Sequence, residues 1–455
     1  MGQQIERQVV RMKLQFPNVV EVESSHQQLA LVAAATTPAA SLPPSVPGID
    51  TPELAALGPD KVGFRSLIFV NKAQPDLLAS DPKTGAVPLH DRRLVVDIWY
   101  PATVRSGAPT VTYRASLWGE TPRPPVSFSQ VGLAVRDALP TGRGHPLVIV
   151  SHGYSNAPAV MTWLTENLAS KGYVVAAIHH EDPNPYTVSA EQRAAPNYNR
   201  PRDIAFVAAR LRATLGAQID PQRVALIGYS QGGYGVLTAG GAQLDPAGPN
   251  MVQVAGGWLK TIAQGTAGAE EIKVPGVRAI VALAPGGGGE HNAWGQHGLA
   301  GITAPLLLIA GDADPVVGYA HAAKAFFTSA VDTDRYLLTY RMAGHSIALN
   351  PVPREMRGSL WDNDWFEDPV WRQDRINAIN LHFITAFLAV NLRGEVDKLA
   401  YLKVPVETSD EGVWNAPSGT AWGAYSSGGA GVTLWKGFQR RHAQGMVLQH
   451  APVGK

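Results

Sequence analysis

The segment from Val224 to Gly233 constrains the fold of this chain more than any other feature. Its sequence, VALIGYSQGG, is a short apolar run typical of a buried strand, and it leads directly into the pattern G-x-S-x-G at residues 228–232. In a sharp strand-to-helix turn the serine is strained, and the residues two positions away must lack side chains so that strand and helix can approach. An ordinary tight turn can carry the same letters. The apolar run before it and the small residues after it favour a turn that exposes the Ser230 hydroxyl.

A nucleophilic serine needs a histidine base and a carboxylate that orients the histidine, and both residue types follow strands later in the chain. The apolar run Pro305–Ala310 leads into Asp312-Ala-Asp314, and the strand-like run 335–342 leads into Gly344-His345. The carboxyl ends of parallel strands meet at one edge of a sheet, where ligands usually bind. We therefore expect Ser230, Asp314 and His345 to meet there as nucleophile, acid and base.

Two aspartates compete for the role of the acid. Asp314 is preferred because it lies deeper in its loop and is followed by Pro315, which fixes the turn, although either Asp312 or Asp314 would serve as a turn-capping residue. His345 has an ordinary alternative as well, because the chain contains 13 histidines. No other histidine follows the aspartate-bearing strand so closely at a strand end.

The strand predicted at Leu147–Val150 ends in Ser151-His-Gly-Tyr-Ser155, a loop suited to oxyanion binding. Gly153 lets the backbone approach a substrate, so the expected oxyanion donors are the backbone N–H groups of Tyr154 and of Gln231, the residue after the serine. His152 is interpreted as a residue that braces the loop, since it precedes the proposed nucleophile.

Two insertions, 241–275 and 346–370, are expected to form cap or loop segments near the site, and each carries tryptophan. Ordinary packing against the core is the alternative for each aromatic residue. The substrate pocket is predicted to be lined by Tyr154, Tyr229, His180, Trp258 and Trp361. The run His179–Asp182 contains metal-binding residue types, but neighbouring side chains at a strand end point in opposite directions, which disfavours a shared metal. No metal site and no cofactor are predicted.

Strands alternate with amphipathic helices along the chain, which predicts an α/β fold with a mostly parallel sheet and helices on both faces. We expect a catalytic domain over 60–390 and a C-terminal extension over 391–455 packed on it. Residues 1–48 are expected to be a leader and linker. The segment 28–41 resembles the end of a secretory signal, with a disordered leader as the alternative, and the compartment stays open.

Composition narrows the range of partners. The formal net charge of the 455-residue chain is +1 without a basic block, so neither nucleic acid nor an anionic membrane is an expected partner. No window approaches the roughly 20 apolar residues of a transmembrane helix. The chain has no cysteine, which excludes disulfides, thiolate metal sites and a cysteine nucleophile. A small-molecule ester is the expected partner, and the oligomeric state is left open.

Taken in order, the motifs of the chain resemble those of bacterial α/β-hydrolases called predicted dienelactone hydrolases, which are similar in turn to platelet-activating-factor acetylhydrolases. The likeness spans residues 60 to about 390. It is carried by Val62-Gly63, Asp97–Pro101, Ser151–Gly153, Lys171–Ala177, Arg200–Ile204, Gly228–Gly232, Gly311–Asp314 and Gly344-His345. A weaker likeness links the Ser-His-Gly-Tyr segment to polyester-degrading, cutinase-like enzymes. The resemblance implies an α/β-hydrolase fold and an esterase with the triad and oxyanion donors named above.

The sequence departs from true dienelactone hydrolases, which use a cysteine nucleophile, so the resemblance does not imply their substrate. The predicted activity is hydrolysis of a small to medium acyl ester through an acyl-enzyme. An acyltransferase or amidase with the same triad is one alternative. A non-catalytic, ligand-binding member of the fold is the other.

Overall fold

The structure is a computed structural model that describes residues 43–81, 83–118, 124–289, 292–414 and 431–455. The signal-like segment 28–41 and residues 415–430 of the predicted C-terminal extension lie outside the described residues. Within these ranges, no helix combines the length and apolar character that a membrane crossing requires.

The described residues form strands and α-helices that alternate along most of the chain. The strands are β1 (Lys61–Pro75), β2 (Leu89–Thr103), β3 (Thr112–Leu117), β4 (Val126–Val131), β5 (Val135–Arg136), β6 (Leu139–Pro140), β7 (His145–Ser151), β8 (Val174–His179), β9 (Ile219–Tyr229), β10 (Val277–Leu283), β11 (Leu306–Gly311), β12 (Arg335–Tyr340) and β13 (Met446–Ala451). The α-helices are α1 (Thr162–Ser170), α2 (Ala190–Arg193), α3 (Ala195–Leu215), α4 (Gln231–Ala239), α5 (Ala267–Glu271), α6 (Ala323–Ser329), α7 (Leu360–Asp364) and α8 (Gln373–Arg393).

The main sheet runs in the order β13-β12-β11-β10-β9-β7-β8-β2-β1-β5, with β6 paired to β2. Strands β8, β7, β9, β10, β11 and β12 are parallel to one another, while β1 and β2 pair antiparallel at one side and β13 pairs antiparallel with β12 at the other. The predicted α/β fold with a mostly parallel sheet is confirmed.

Each face of the sheet has its own hydrophobic core, because the central strands are apolar at successive positions. Val148 and Val150 of β7 point to the core that α1 and α8 cover, whereas Leu147 and Ile149 point to the core beneath α3, α4 and α6. This double cover explains why the central strands read as continuous apolar runs. The predicted strands and helices that alternate along the chain therefore form three layers.

The register of the parallel strands brings together the loops that carry the predicted site residues. Ser151 at the end of β7 pairs with Gly228 of β9, so the loop after β7 begins beside the Ser230 turn. Gly311 at the end of β11 pairs with Tyr340 at the end of β12, so the loops that carry Asp314 and His345 start side by side.

Helix α3 begins at Ala195, although a proline such as Pro201 is typical of the first turn of a helix. Pro201 lies inside the helix and has no N–H to donate to the carbonyl of Asn197, four residues earlier. The Tyr234 hydroxyl of α4 donates to that carbonyl at 2.9 Å instead. A side chain from the neighbouring helix therefore satisfies the acceptor that the proline leaves free, which no local pattern could reveal.

The insertion 241–275 packs on the α3–α4 face, where Met251, Leu259 and Ile262 join the core. In the C-terminal segment, β13 extends the sheet, and Trp435 and Phe438 pack beside α8.

Candidate active site

Ser230 stands between β9 and α4 in a strained backbone conformation, with φ of 53° and ψ of −115°. A non-glycine residue persists in such a conformation only where its surroundings determine it. The Ser230 N–H donates to Leu283 O at 2.9 Å, and its carbonyl accepts hydrogen bonds from the amides of Gly286 and Tyr234. The turn is therefore fixed from both sides.

The glycines of the motif are required by close packing. A Cβ atom on Gly228 would lie 2.1 Å from the carbonyl oxygen of Gly232, and one on Gly232 would lie 2.0 Å from the carbonyl oxygen of Ser151. Both distances are far below van der Waals contact. Only glycine lets α4 start this close to β9 and to the end of β7.

A chain of hydrogen bonds joins Ser230, His345 and Asp314. The His345 Nε2 atom lies 3.0 Å from Ser230 Oγ, and His345 Nδ1 lies 2.7 Å from Asp314 Oδ2. The His345 side chain is 13% exposed and that of Asp314 only 1%, so the histidine reaches solvent and the aspartate does not. Asp312 makes a different contact, because its Oδ1 atom accepts the Met342 amide at 2.6 Å.

The environment of Asp314 favours its ionised form. Burial acts to raise the pKa of this carboxyl group, but the hydrogen bond from His345 and the backbone amides of Val316 and Val317 outweigh it, and the pKa lies below its usual value. An ionised Asp314 directs the proton of the neutral imidazole to Nδ1. His345 Nε2 is then free to accept the proton of Ser230.

Tyr229 and Asp368 support the histidine loop. The Tyr229 hydroxyl donates to the carbonyl of His345 at 3.2 Å, and its ring centroid lies 5.2 Å from that of His345. Burial raises the pKa of Tyr229, so the hydroxyl keeps its proton. Asp368 Oδ2 accepts the amide of Gly344, the residue before His345, at 2.6 Å.

The two amides predicted as oxyanion donors belong to Tyr154, in the loop after β7, and to Gln231, the first residue of α4. Among the described residues, neither amide donates a hydrogen bond. Gly153 stands where a Cβ atom would come within 2.9 Å of the Tyr229 ring, so only glycine fits between the loop and Tyr229.

A buried arginine holds the loop after β7. Arg200 of α3 is fully buried and donates to Ser151 Oγ at 3.1 Å, to His152 O at 2.6 Å and to Gly153 O at 3.0 Å. The same guanidinium pairs with both carboxylate oxygens of Asp182. Asp182 Oδ2 also accepts the amide of Ser155, a residue with φ of 52°. The backbone on both sides of Tyr154 is therefore bonded to one ion pair.

His180 belongs to this buried network and does not line the cavity at Ser230. Its Nδ1 atom lies 2.9 Å from Asp203 Oδ2, and its Nε2 atom lies 3.0 Å from Ser151 Oγ. Burial and the nearby Arg200 lower the pKa of His180 to about 4, against the opposing effect of Asp203, so the ring is neutral near pH 7. Asp203 is also paired with Arg92.

The predicted pocket residues separate into two groups. Tyr154, Tyr229 and Trp361 line a cavity of about 650 Å³ that opens at Ser230 and His345. Trp258 lies elsewhere, on the α3–α4 side of the sheet, where its ring packs 6.0 Å from that of Tyr198. The remaining lining residues are Gly153, Asn156, Ala313, Pro315, Val316, Met342, Gly344, Ser346, Asp364, Trp365, Glu367, Asp368 and Pro369.

Two polar atoms on cavity-lining residues, Asn156 Oδ1 and Trp365 Nε1, are buried without a hydrogen-bond partner among the described residues. An unmade hydrogen bond of this kind is costly.

The run His179–Asp182 is occupied by protein contacts. His179 bonds Asp97, and Glu181 lies 3.7 Å from Arg92. In the described part of the chain, no group of three or more ligand-type side chains is arranged to hold a metal ion.

Comparison with known proteins finds a family model and curated relatives that are similar in sequence. Residues 138–250 match the family model PETase, described as PET hydrolase-like. Cutinase 1 of Thermobifida cellulosilytica is 26% identical over 185 residues, which make up 40% of this chain and 53% of that relative. The cutinase of Thermobifida fusca (strain YX) is also 26% identical over 185 residues, with 40% of this chain and 46% of the relative covered. This chain thus spans about half the length of the curated relatives it matches.

Among solved structures, a ferulic acid esterase from Streptomyces cinnamoneus is similar with a TM-score of 0.47 at 20% identity, over 76% of this chain and 94% of that chain. The strand order, the strained serine turn and the sequence similarity to the family model and to the two cutinases agree. The chain has the α/β-hydrolase fold. In this α/β-hydrolase the region matched by the family model includes Tyr154 and Ser230, whereas Asp314 and His345 lie beyond it.

Sequence reasoning missed the residues that support the site. Arg200 and Asp203 of this α/β-hydrolase belong to a motif that carries the family resemblance. The motif indicates that these residues matter but does not indicate what they do. Asp182 belongs to the run whose residue types are those of metal ligands. Asp368 has no signal, because its contact with Gly344 depends on how the loop after β12 folds back.

Proposed function

We propose that this α/β-hydrolase is a serine carboxylic-ester hydrolase that acts on small to medium acyl esters. The observation that carries the proposal is the hydrogen-bond chain Ser230–His345–Asp314, with Ser230 and His345 at the wall of an open cavity. A cavity of about 650 Å³ suits a small molecule, since such sites are commonly ~300–1,000 Å³. The similarity to proteins named as cutinases supports an ester as the substrate.

In the first half of the reaction, His345 Nε2 takes the proton of Ser230 as Oγ attacks the ester carbonyl carbon. The negative charge that develops on the carbonyl oxygen is stabilised by the amides of Tyr154 and Gln231. Asp314 stabilises the imidazolium. The tetrahedral intermediate collapses when the ester C–O bond breaks, and His345 gives its proton to the departing alcohol oxygen.

In the second half, water replaces the alcohol. His345 removes a proton from the water molecule as the water oxygen attacks the acyl-enzyme carbonyl carbon. The bond between the acyl carbon and Ser230 Oγ then breaks, and His345 returns the proton to Oγ. The products are one carboxylic acid and one alcohol. Every step uses groups of this chain and water.

The test is hydrolysis of p-nitrophenyl esters from acetyl to palmitoyl by the wild-type protein, by Ser230→Ala and by Ser116→Ala. Ser116 is an exposed serine of β3 and is the matched control. We expect activity on at least one ester, a loss of about 10⁵–10⁶ in kcat for Ser230→Ala, and full activity for Ser116→Ala. The mass increase after treatment with an organophosphonate should equal one adduct and should be absent from Ser230→Ala.

Two outcomes would overturn the proposal. A wild-type protein that hydrolyses no ester and gains no phosphonate adduct would favour a non-catalytic, ligand-binding protein. A protein that forms the adduct but releases acyl groups only to added amines or alcohols would favour an acyltransferase.

A further inference from the structure

The segment 361–369 forms one wall of the cavity and combines aromatic rings with negative charge. It contributes two indole rings and three carboxylates to the lining, namely Trp361, Trp365, Asp364, Glu367 and Asp368. No lysine or arginine is among the described residues that line the cavity. An anionic wall without a cationic counterpart determines which charged ligands can enter.

The three carboxylates are not neutralised by neighbouring cations. None of them forms a salt bridge to any side chain that the structure describes. Asp368 accepts backbone amides at both oxygens, and Glu367 Oε1 accepts the Val352 amide at 2.8 Å. Asp364 is exposed, and its carboxylate has no partner in the described residues. Asp364 and one oxygen of Glu367 therefore remain able to contact a ligand.

This wall adjoins the residue that would protonate the leaving group. Ser346, directly after His345, donates to the carbonyls of Asp364 and Trp365 at 2.9 Å and 3.1 Å. Gly344, directly before His345, donates to Asp368. In the proposed reaction His345 gives its proton to the alcohol oxygen, so this oxygen lies beside the histidine whose neighbours in sequence bond the wall.

We propose that the cavity selects esters of amino alcohols, with the positively charged ammonium group of the alcohol against the wall formed by 361–369. This inference rests on the proposed esterase function and names the substrate class of the same site. Carboxylates attract the ammonium group, and tryptophan faces bind such cations, quaternary ammonium included. Esters with a carboxylate in the alcohol part are repelled by the same charges.

The experiment compares two esters that differ only in charge. Butyrylcholine carries a trimethylammonium group, and 3,3-dimethylbutyl butyrate has a neutral tert-butyl group in its place. For the wild-type protein at low ionic strength we expect kcat/KM to be at least about fivefold higher for butyrylcholine, which corresponds to about 1 kcal/mol. Added salt should reduce this ratio, because charges at an open cavity are screened.

The variants test which carboxylates create the preference. Asp364→Asn combined with Glu367→Gln keeps the shapes and removes two charges, and we expect the ratio of the two kcat/KM values to fall to about one. Asp368 is left in place because it holds Gly344. Asp332→Asn is the matched control, since Asp332 is an exposed residue just before β12, at the edge of the sheet opposite the cavity. It should keep the wild-type ratio.

The outcomes separate this inference from the proposed function. Hydrolysis of both esters with a ratio near or below one, or a ratio that the double variant leaves unchanged, would overturn the amino-alcohol preference and leave the esterase proposal intact. If no ester is hydrolysed, the esterase proposal fails, and the inference is decided by calorimetric titration of Ser230→Ala with choline. Choline binding that the double variant loses would support the cation-binding wall, and absence of binding would refute it.

Discussion

Replacement of Arg200 by lysine should slow catalysis without weakening substrate binding. Arg200 contacts the loop 151–155, which carries the proposed oxyanion donor Tyr154 and is called the oxyanion loop below, and Arg200 does not line the cavity. Arg200 donates five hydrogen bonds, to Ser151 Oγ, His152 O, Gly153 O and both oxygens of Asp182. An ammonium group can donate only three. At least two buried acceptors then lose their donor in Arg200→Lys, at about 1–3 kcal/mol each, so the free energy of unfolding should fall by about 2–6 kcal/mol.

The kinetic effect follows from the position of the loop. Loss of an oxyanion donor costs about 10²–10³ in kcat. A displaced Tyr154 amide keeps part of its stabilisation, so we expect kcat to fall about 10- to 100-fold with KM nearly unchanged. Arg92→Lys is the matched control, because Arg92 forms the other buried arginine–aspartate pair of the network and contacts Asp203, not the oxyanion loop. It should lower stability and leave kcat within about threefold.

The assay is steady-state hydrolysis of p-nitrophenyl butyrate together with chemical unfolding of both variants. If Arg200→Lys does not fold, Asp182→Asn provides the second perturbation, since it weakens the pair on the other side of the loop. Equal kcat losses in Arg200→Lys and Arg92→Lys would show that general destabilisation, and not the loop, sets the rate. An unchanged kcat in a folded Arg200→Lys protein would refute the positioning role outright.

Three further perturbations have clear expected results. Asp314→Asn should lower kcat about 10⁴-fold, as steady-state kinetics will show, because the imidazole then takes the wrong tautomer; a similar loss in Asp312→Asn would contradict the assignment of the acid. Gly232→Ala should lower the unfolding temperature strongly, since its Cβ would lie 2.0 Å from a backbone oxygen, whereas Gly358→Ala has open space and should change it little. The folded-state pKa of His180, about 4, lies below its unfolded value of ~6.5, so the unfolded chain binds more protons between these values. The stability contribution of a neutral His180 should thus be complete above about pH 6.5 and decline as the pH falls toward 4, and His180→Gln should flatten stability in that range.

Local patterns were sufficient to predict the central strands of the sheet and the serine turn. The apolar runs around residues 147, 225, 280 and 307 are strands covered on both sides, and burial of both faces is what makes such runs continuous. The Gly228 position follows from sterics within a few residues, whereas Gly232 must clear the carbonyl oxygen of Ser151 at the end of β7. The rest depends on contacts between segments far apart in sequence. β13 pairs with β12 across about 110 residues, and its sequence, MVLQHA, has no distinctive pattern of its own.

The candidate site likewise has parts that local patterns predict and parts that depend on distant contacts. The order of serine, acid and histidine could be inferred because each residue follows a strand of one parallel sheet. The contacts of Asp364 and Glu367 with the cavity could not, because the segment 346–370 has no periodicity that fixes its path. Trp258 is a residue that the sequence predicts at the cavity and that the structure places elsewhere. An aromatic residue on an insertion was expected at the cavity, but its insertion carries enough apolar residues to join the core on the other face of the sheet.

The buried network also shows why hydrogen bonding between serine, histidine and aspartate does not by itself make a nucleophile. Ser151, His180 and Asp203 are linked by bonds of 3.0 Å and 2.9 Å, nearly the same lengths as in the proposed triad. The Ser151 and His180 side chains are fully buried, and Arg200 donates to Ser151 Oγ, which ties up a lone pair that attack on a carbonyl would need. Ser230 differs in its positive φ, which lifts the hydroxyl out of the sheet, and in the cavity in front of it. Backbone strain and access, more than the hydrogen bonds, therefore distinguish Ser230, the proposed nucleophile, from the buried Ser151.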